Sequence, residues 1–173
     1  KAAPKNSGMA TPGRIVISLC AQQRMVAVVK IGQPDDAGLR REAEMRKARH
    51  WWLSEFWPES AEDFMKVAGA VGAQENNWLR QVGGYWSMAA SFVLQGVLNE
   101  ELFIQPAVSG EMYFLFAKVH PFLAELREKI GDPHFFGNIE KVIMHSKFGR
   151  ERLKFTLKRV EMMRQKRGER KAG

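Results

Sequence analysis

Met112, Leu115, Phe116, Val119, Phe122, Leu123, Leu126 and Ile130 recur at spacings of three and four, with one proline, Pro121, set among them. That period places every one of these side chains on a single face of an α-helix, and no β-strand reading of the run survives it. Because proline removes a backbone donor and clashes with the preceding turn, a kink near Ala117 or a break before Pro121 is expected. A helix this apolar on one side needs other helices to cover it, so the chain must build an all-helical core around it.

The covering segments are legible on either side. A first helix from near Leu39 carries Met45, Ala48, Trp52 and Phe56 as one stripe and stops at Pro58. Ser60 reads as the N-cap of a second, with Asp63 three residues on completing a capping-box-like pair. Its inner face is Phe64, Val67, Ala68 and Val71, and Gly72 is its expected stop. A third, about 74–95, aligns Trp78, Val82, Trp86, Ala89 and Val93. Gly83 and Gly84 inside it cost about 1 kcal/mol each relative to Ala, a penalty that makes sense if another helix crosses closely there. After a short turn at 100–103, Ser109 is the expected cap of the long apolar helix and Gly131 its end. Asp132-Pro133 then reads as the start of a fifth, lined by Phe136, Ile139, Val142 and Ile143.

Charge divides the chain sharply. Residues 147–173 hold eleven Lys or Arg against three Glu, whereas the whole chain has 27 basic and 19 acidic residues, so the remainder is neutral and the net charge of +8 belongs to this last segment. Leu153, Leu157, Val160 and Met163 give it one apolar seam, which predicts a sixth helix docked at its start and frayed beyond about Arg167. Residues 39–146 contain sixteen of the 18 aromatics and all five Trp. They form the expected domain. Residues 1–38 have no aromatic residue; the β-branched runs Ile15–Leu19 and Met25–Ile31 make them either a short β-hairpin or a disordered leader, and a chain opening on Lys1 reads as a fragment or a misframed start. The expected fold is therefore an all-α, irregular bundle of five to six helices, in the parts 1–38, 39–146 and 147–173.

Several chemistries are without their signatures. No phosphate loop, Gly-x-Gly-x-x-Gly, Gly-x-Ser-x-Gly or His-Glu-x-x-His occurs. His50, His120, His134 and His145 form no Glu-x-x-His pair of the kind a di-iron bundle uses, so they read as solvated or helix-terminal, and no catalytic residue, metal or cofactor is assigned. The single cysteine, Cys20, forms no intramolecular disulfide and makes a reducing cytoplasm the expected compartment. No apolar run reaches the roughly 18 residues of a membrane span, and no membrane partner is expected.

What remains is a choice of surfaces. Of the adjacent Trp51 and Trp52, the core stripe needs Trp52, which leaves Trp51 as an exposed anchor beside Arg46, Lys47 and Arg49. With Glu100, Glu101 and Glu111 it makes the candidate interaction surface. Arg150, Lys154, Lys158, Arg159, Arg164, Lys166 and Arg167 are the candidate anion-binding set, and Phe148 and Phe155 could stack on bases.

The runs Gln74-Glu-Asn-Asn-Trp-Leu-Arg, Gly84-Tyr-Trp-Ser-Met-Ala-Ala-Ser-Phe-Val, Gly96-Val-Leu-Asn-Glu-Glu-Leu-Phe, Ser109-Gly-Glu-Met and Pro121-Phe-Leu-Ala-Glu-Leu-Arg resemble those of an uncharacterised, all-helical family of bacterial proteins, over roughly residues 39–146. That resemblance implies a helical fold and no particular activity; residues 1–38 look unlike the family. Together these readings favour a non-catalytic protein-interaction or assembly module, through a protein partner or self-association. The first alternative is a nucleic-acid-associated protein gripping the phosphate backbone through its basic last helix, and the second an enzyme whose site has no linear motif.

Overall fold

The computed structural model describes the chain in full from Ala43 to Arg170, together with the backbone of flanking helical residues and of a two-residue strand pair. In that pair Leu19–Cys20 runs antiparallel to Arg24–Met25, with Leu19 opposite Met25 and Cys20 opposite Arg24. The remainder of the expected hairpin lies outside the described residues.

The helical elements are α1 (Asp36–His50), continued by a π-turn at Trp51–Glu55, α2 (Ala61–Ala68), α3 (Gln74–Leu94), α4 (Glu100–Phe103), α5 (Pro106–Val119), a 3-10 turn at His120–Phe122, α6 (Leu123–Ile130), α7 (Gly137–His145) and α8 (Lys147–Ala172). The all-α expectation holds, and the elements outnumber the expected five or six because the long apolar helix is interrupted and the turn expected at 100–103 is itself a short helix. Pro121 sits in the 3-10 turn that separates α5 from α6, where its missing N–H is least harmful. The helix also starts earlier than expected. Pro106, at the first turn, sets the start, and Ser109 lies at a kink inside α5 with φ −115° and ψ 18°, fully buried rather than capping.

The core is one continuous cluster. Phe116, Met112, Leu126 and Val119 of the central run meet Trp52, Phe64, Val82, Trp86, Ile143 and Val160. α3 packs along α7 and α1, and α5 along α8. Gly83 explains itself here, since a Cβ at that position would stand 3.3 Å from the ring of Phe136. Gly149 is needed more strictly, because a side chain there would collide with the carbonyl of Ile143 at the α7–α8 corner. Gly84 faces open space, so the close-approach argument applies to one glycine of the pair.

Ser60 caps α2 as expected, accepting from the Asp63 N–H at 3.1 Å. Its far end differs. α2 stops at Ala68, leaving Val71 80% exposed, and its last carbonyls are held by the buried Asn76, whose Nδ2 donates to Val67 O and Ala68 O at 3.1 and 2.8 Å. Likewise α7 begins at Gly137 rather than after Pro133. Asp132 instead accepts from the His134 N–H in a local turn, and Phe136 adopts a left-handed φ of 56° to deliver its ring against Gly83.

The largest departure concerns Trp51, expected outside and found 6% exposed. Adjacent residues of an ordinary α-helix point about 100° apart, so burying both Trp requires cover on two sides. The π-turn changes that geometry. The Phe56 N–H reaches back five residues to Trp51 O at 2.9 Å, which brings the rings of Trp51 and Phe56 into a stack with centroids 4.6 Å apart while Trp52 remains in the core. Trp51→Ala should therefore destabilise about as much as Trp86→Ala, in the range of about 3–5 kcal/mol for a truncated buried aromatic. Urea unfolding of the two variants checks this, and a near-neutral Trp51→Ala would contradict the π-turn packing.

Candidate functional site

A π-turn that ends against an extended residue leaves its carbonyls without helical donors. Those of Trp52, Leu53, Ser54, Phe56 and Pro58 all receive donors from elsewhere in the chain. Lys118, on α5 and fully buried, places Nζ 2.6 Å from Trp52 O, 2.8 Å from Phe56 O and 3.2 Å from Leu53 O. The same ammonium lies 3.8 Å from the centroid of the Trp57 ring and 4.9 Å from that of Phe114, an aromatic cage around a cation. From α8, Arg164 Nη2 donates to Pro58 O and to Lys118 O, both at 2.8 Å, and Arg167 Nη1 donates to Ser54 O at 3.0 Å. Trp57 Nε1 shares that last acceptor at 3.1 Å. The end of the first helix is thus riveted to α5 and α8 by three cations.

Nothing in the sequence singled out Lys118. One lysine inside an apolar run reads as a residue on the solvent side of its helix, and only the unpaired carbonyls of a helix end far along the chain make its burial favourable. Burial, and then the charges of Arg167 and Arg164, push its pKa down from 10.5 to about 7.

The other basic residues of α8 divide in the same way. Arg150 Nη1 donates to Met144 O and His145 O, closing the end of α7. Arg152 Nη1 donates to Ile104 O, just past α4, and to Ser109 Oγ at 3.3 Å, with its guanidinium 3.9 Å over the Tyr113 ring. Of the candidate anion-binding set, then, Arg150, Arg164 and Arg167 are spent on backbone carbonyls within the fold. Lys154, Lys158, Arg159 and Lys166 are exposed. The helix runs on to Ala172, so the fraying expected beyond Arg167 is not seen in its backbone.

The expected acidic surface is largely internal as well. Glu111 is nearly buried, accepting from Arg49 Nη2 and Nε at 2.5 and 2.7 Å on one oxygen and from Trp86 Nε1 at 3.2 Å on the other. Beside this pair, burial raises the Tyr85 hydroxyl pKa to about 12, with Arg49 opposing and Glu111 adding to the shift. Glu100 Oε2 is hydrogen-bonded with His145 Nδ1 at 2.7 Å, which ties α4 to α7. Trp51, Glu100 and Glu111 therefore do not form one interaction surface, each being turned to a different internal contact; Glu101 is exposed.

Two exposed features remain. On α8, Phe148, Phe155 and Met162 are 46%, 68% and 56% exposed. Their spacing is seven residues. On an α-helix such positions fall in one line about 10 Å apart, here bordered by Lys158, Arg159 and Lys166 and, between Phe148 and Phe155, by Glu151. Beside that line, a groove of about 540 Å³ runs between α8 and the α5 break, lined by Ala117, Pro121, Leu157, Val160, Met162 and Arg164, with Lys158 and Glu161. Among the described residues no three His, Cys, Asp or Glu side chains come together as a metal site, and no helix is long and apolar enough to cross a membrane.

Lys118 supplies a prediction with a sign. Its pKa is depressed in the fold, so between about 7 and 10.5 the unfolded chain binds the proton that the folded chain has released. Its contribution to stability is present in full above 10.5 and is lost as pH falls through about 7. An uncharged amine still serves the two shorter bonds, to Trp52 and Phe56. The urea midpoint of the protein should accordingly rise between pH 7 and 9.5, and in Lys118→Met that rise should be absent. The variant should also lose about 3 kcal/mol, because three buried carbonyls are left bare. Equal pH slopes for the two proteins would contradict the assignment.

No curated protein and no solved structure shows a significant match to the chain. A family model does, over residues 16–146, a domain of unknown function, DUF4760. The match starts within the segment that the sequence resemblance set apart as unlike the family, and it stops one residue before α8. Since it covers most of the helical core just described, the chain belongs to the DUF4760 family of unknown function.

Proposed function

We propose that the protein is a non-catalytic interaction module and that its contact surface is the outward face of α8. The observation that supports this is the exposed line Phe148, Phe155 and Met162. Large apolar side chains this exposed, in line on one helix, are costly in water and mark contact surfaces when they cluster. Their border, in which Lys158, Arg159 and Lys166 outnumber Glu151, selects the partner. A second copy of the same face would meet it with like charge, whereas an acidic amphipathic helix with apolar residues at heptad spacing offers both the apolar knobs and the opposite sign. The arginines that hold α8 to the body, Arg152, Arg164 and Arg167, keep this face rigid, which lowers the entropy cost of docking.

A second reading has its own observation: Phe155, 68% exposed between Lys154 and Lys158, is placed as a stacking ring beside phosphate-pairing cations. One comparison separates the two. Phe155→Ser with Arg159→Glu changes the face without touching a buried contact, so its melting temperature should match that of the unaltered protein. In affinity purification from the protein's own cells, the unaltered chain should retain a protein that this variant loses and that salt releases. Identical retained proteins for both would overturn the proposal, and low-salt retention on DNA that the variant loses would replace it by the second reading.

A further inference from the structure

Away from α8, the outward face of α3 has a composition unlike that of a helix that only meets water. Asn77, Gln81, Gly84, Met88, Phe92 and Gln95 lie within about 40° of one line along the helix, and none of them is charged. α3 has two charged residues, Glu75 and Arg80, and no residue from Gln81 to Asn99 is charged, in a chain that is 27% charged. A solvated helix face is where the charges of an amphipathic helix belong. Met88 and Phe92 are instead 44% and 38% exposed, and Val97, 60% exposed, is held at the Phe92 end of the face by a bond from its N–H to Phe92 O at 2.9 Å. In the middle, Gly84 leaves a hollow. A Cβ there would meet nothing within 4 Å among the described residues, so packing within the chain does not explain a residue that weakens the helix.

We propose that this face is a two-fold interface with a second copy of the chain, α3 crossing its counterpart at Gly84. The occupant follows from charge. A face without cations offers nothing to nucleic acid or to an anionic membrane, and a charged partner would lose its water there with no opposite charge in exchange. A second copy of the same face brings no charge to be stripped of water. The pattern is also self-complementary. In a two-fold contact every pairing is made twice, and an axis at Gly84 and Tyr85 sets Gln81 against Met88, Asn77 against Phe92 and Gln74 against Gln95, so apolar side chains lie along amide side chains and the two outer glutamines can bond to each other. The absent side chain at Gly84 lets the two backbones approach where they cross. The patch is narrow and Arg80 stands at its edge, so the pair is a weak and reversible one. No residue of α8 takes part, and the docking face proposed above stays free.

The test is sedimentation velocity of the intact protein from about 5 to 500 μM, where a contact smaller than about 1,200 Å² should turn monomer into dimer as concentration rises. Met88→Lys, at an exposed position, should keep the melting temperature of the dilute protein and weaken the dimer at least about tenfold, since two buried like charges then face one another. Gly84→Gln separates an interface from a merely local role. Its side chain enters open space on a helix, so the dilute monomer should melt higher, and yet the dimer should be lost. Added salt should leave the dimer intact, because no ion pair holds it. Phe155→Ser with Arg159→Glu should dimerise like the unaltered chain, so that failure of the α8 reading and failure of this one are distinguishable. A monomer at every concentration would overturn the proposal and leave the face to an uncharged partner of another sequence. A dimer that salt dissociates, or one that persists in folded Met88→Lys or folded Gly84→Gln, would overturn it as well.

Discussion

The fold depends on how one helix end is closed. Where α1 passes through a π-turn and stops, five carbonyls point at the place where α5 and α8 converge, and Lys118, Arg164 and Arg167 answer them. The π-turn is what lets Trp51 and Trp52 enter the core together, so the aromatic packing and the carbonyl problem arise from the same local choice. A buried ammonium with no carboxylate beside it would ordinarily be expelled, and it is tolerated here because three carbonyls and two ring faces replace its water.

The same solution recurs through the molecule. Asn76 holds the last carbonyls of α2, Arg150 those of α7, and Arg152 the carbonyl just past α4. Helix C-termini carry partial negative charge, so cations are favoured there, and Arg is favoured over Lys where two carbonyls must be reached at once. Much of the positive charge of α8 thereby becomes a set of internal clamps. This changes what a net charge of +8 means: it is partly the glue of an all-helical body in which α3 and α6 close on the left-handed glycines Gly96 and Gly131 but the π-turn, α4 and α7 end without one. The lysines left outside, with Arg159, set the electrostatics of the outer face.

That division gives α8 two sides with different chemistry. Its inner side buries Leu153 and Val160 and spends its arginines on backbone. Its outer side presents Phe148, Phe155 and Met162 among cations, and the flank between them forms the groove over Arg164. The DUF4760 match ends at residue 146, one residue before α8 begins.

Periodicity and local chemistry by themselves determined the helical fold class, the placement of Trp52, Trp86 and Phe116 in the core, the Ser60 cap, the break at Pro121 and the docking seam of α8. These follow from rules that act within a turn or two of chain. The candidate site was legible only in part: the basic segment was evident, but which of its cations are free was not. Arg150 and Lys154 look alike in sequence, and they differ because the ends of other helices lie within reach of one and not of the other. Trp51, Glu111 and Lys118 were misplaced or missed for that reason too. Glu111 and Lys118 are drawn inward by partners far along the chain, Arg49 at 62 residues and Trp52 O at 66, whereas Trp51 is turned inward by a π-turn that stacks it on Phe56 and sets it against Trp78 of α3. Burial of such groups is decided by whether their hydrogen bonds and charges are met, and only the tertiary structure brings the partners together.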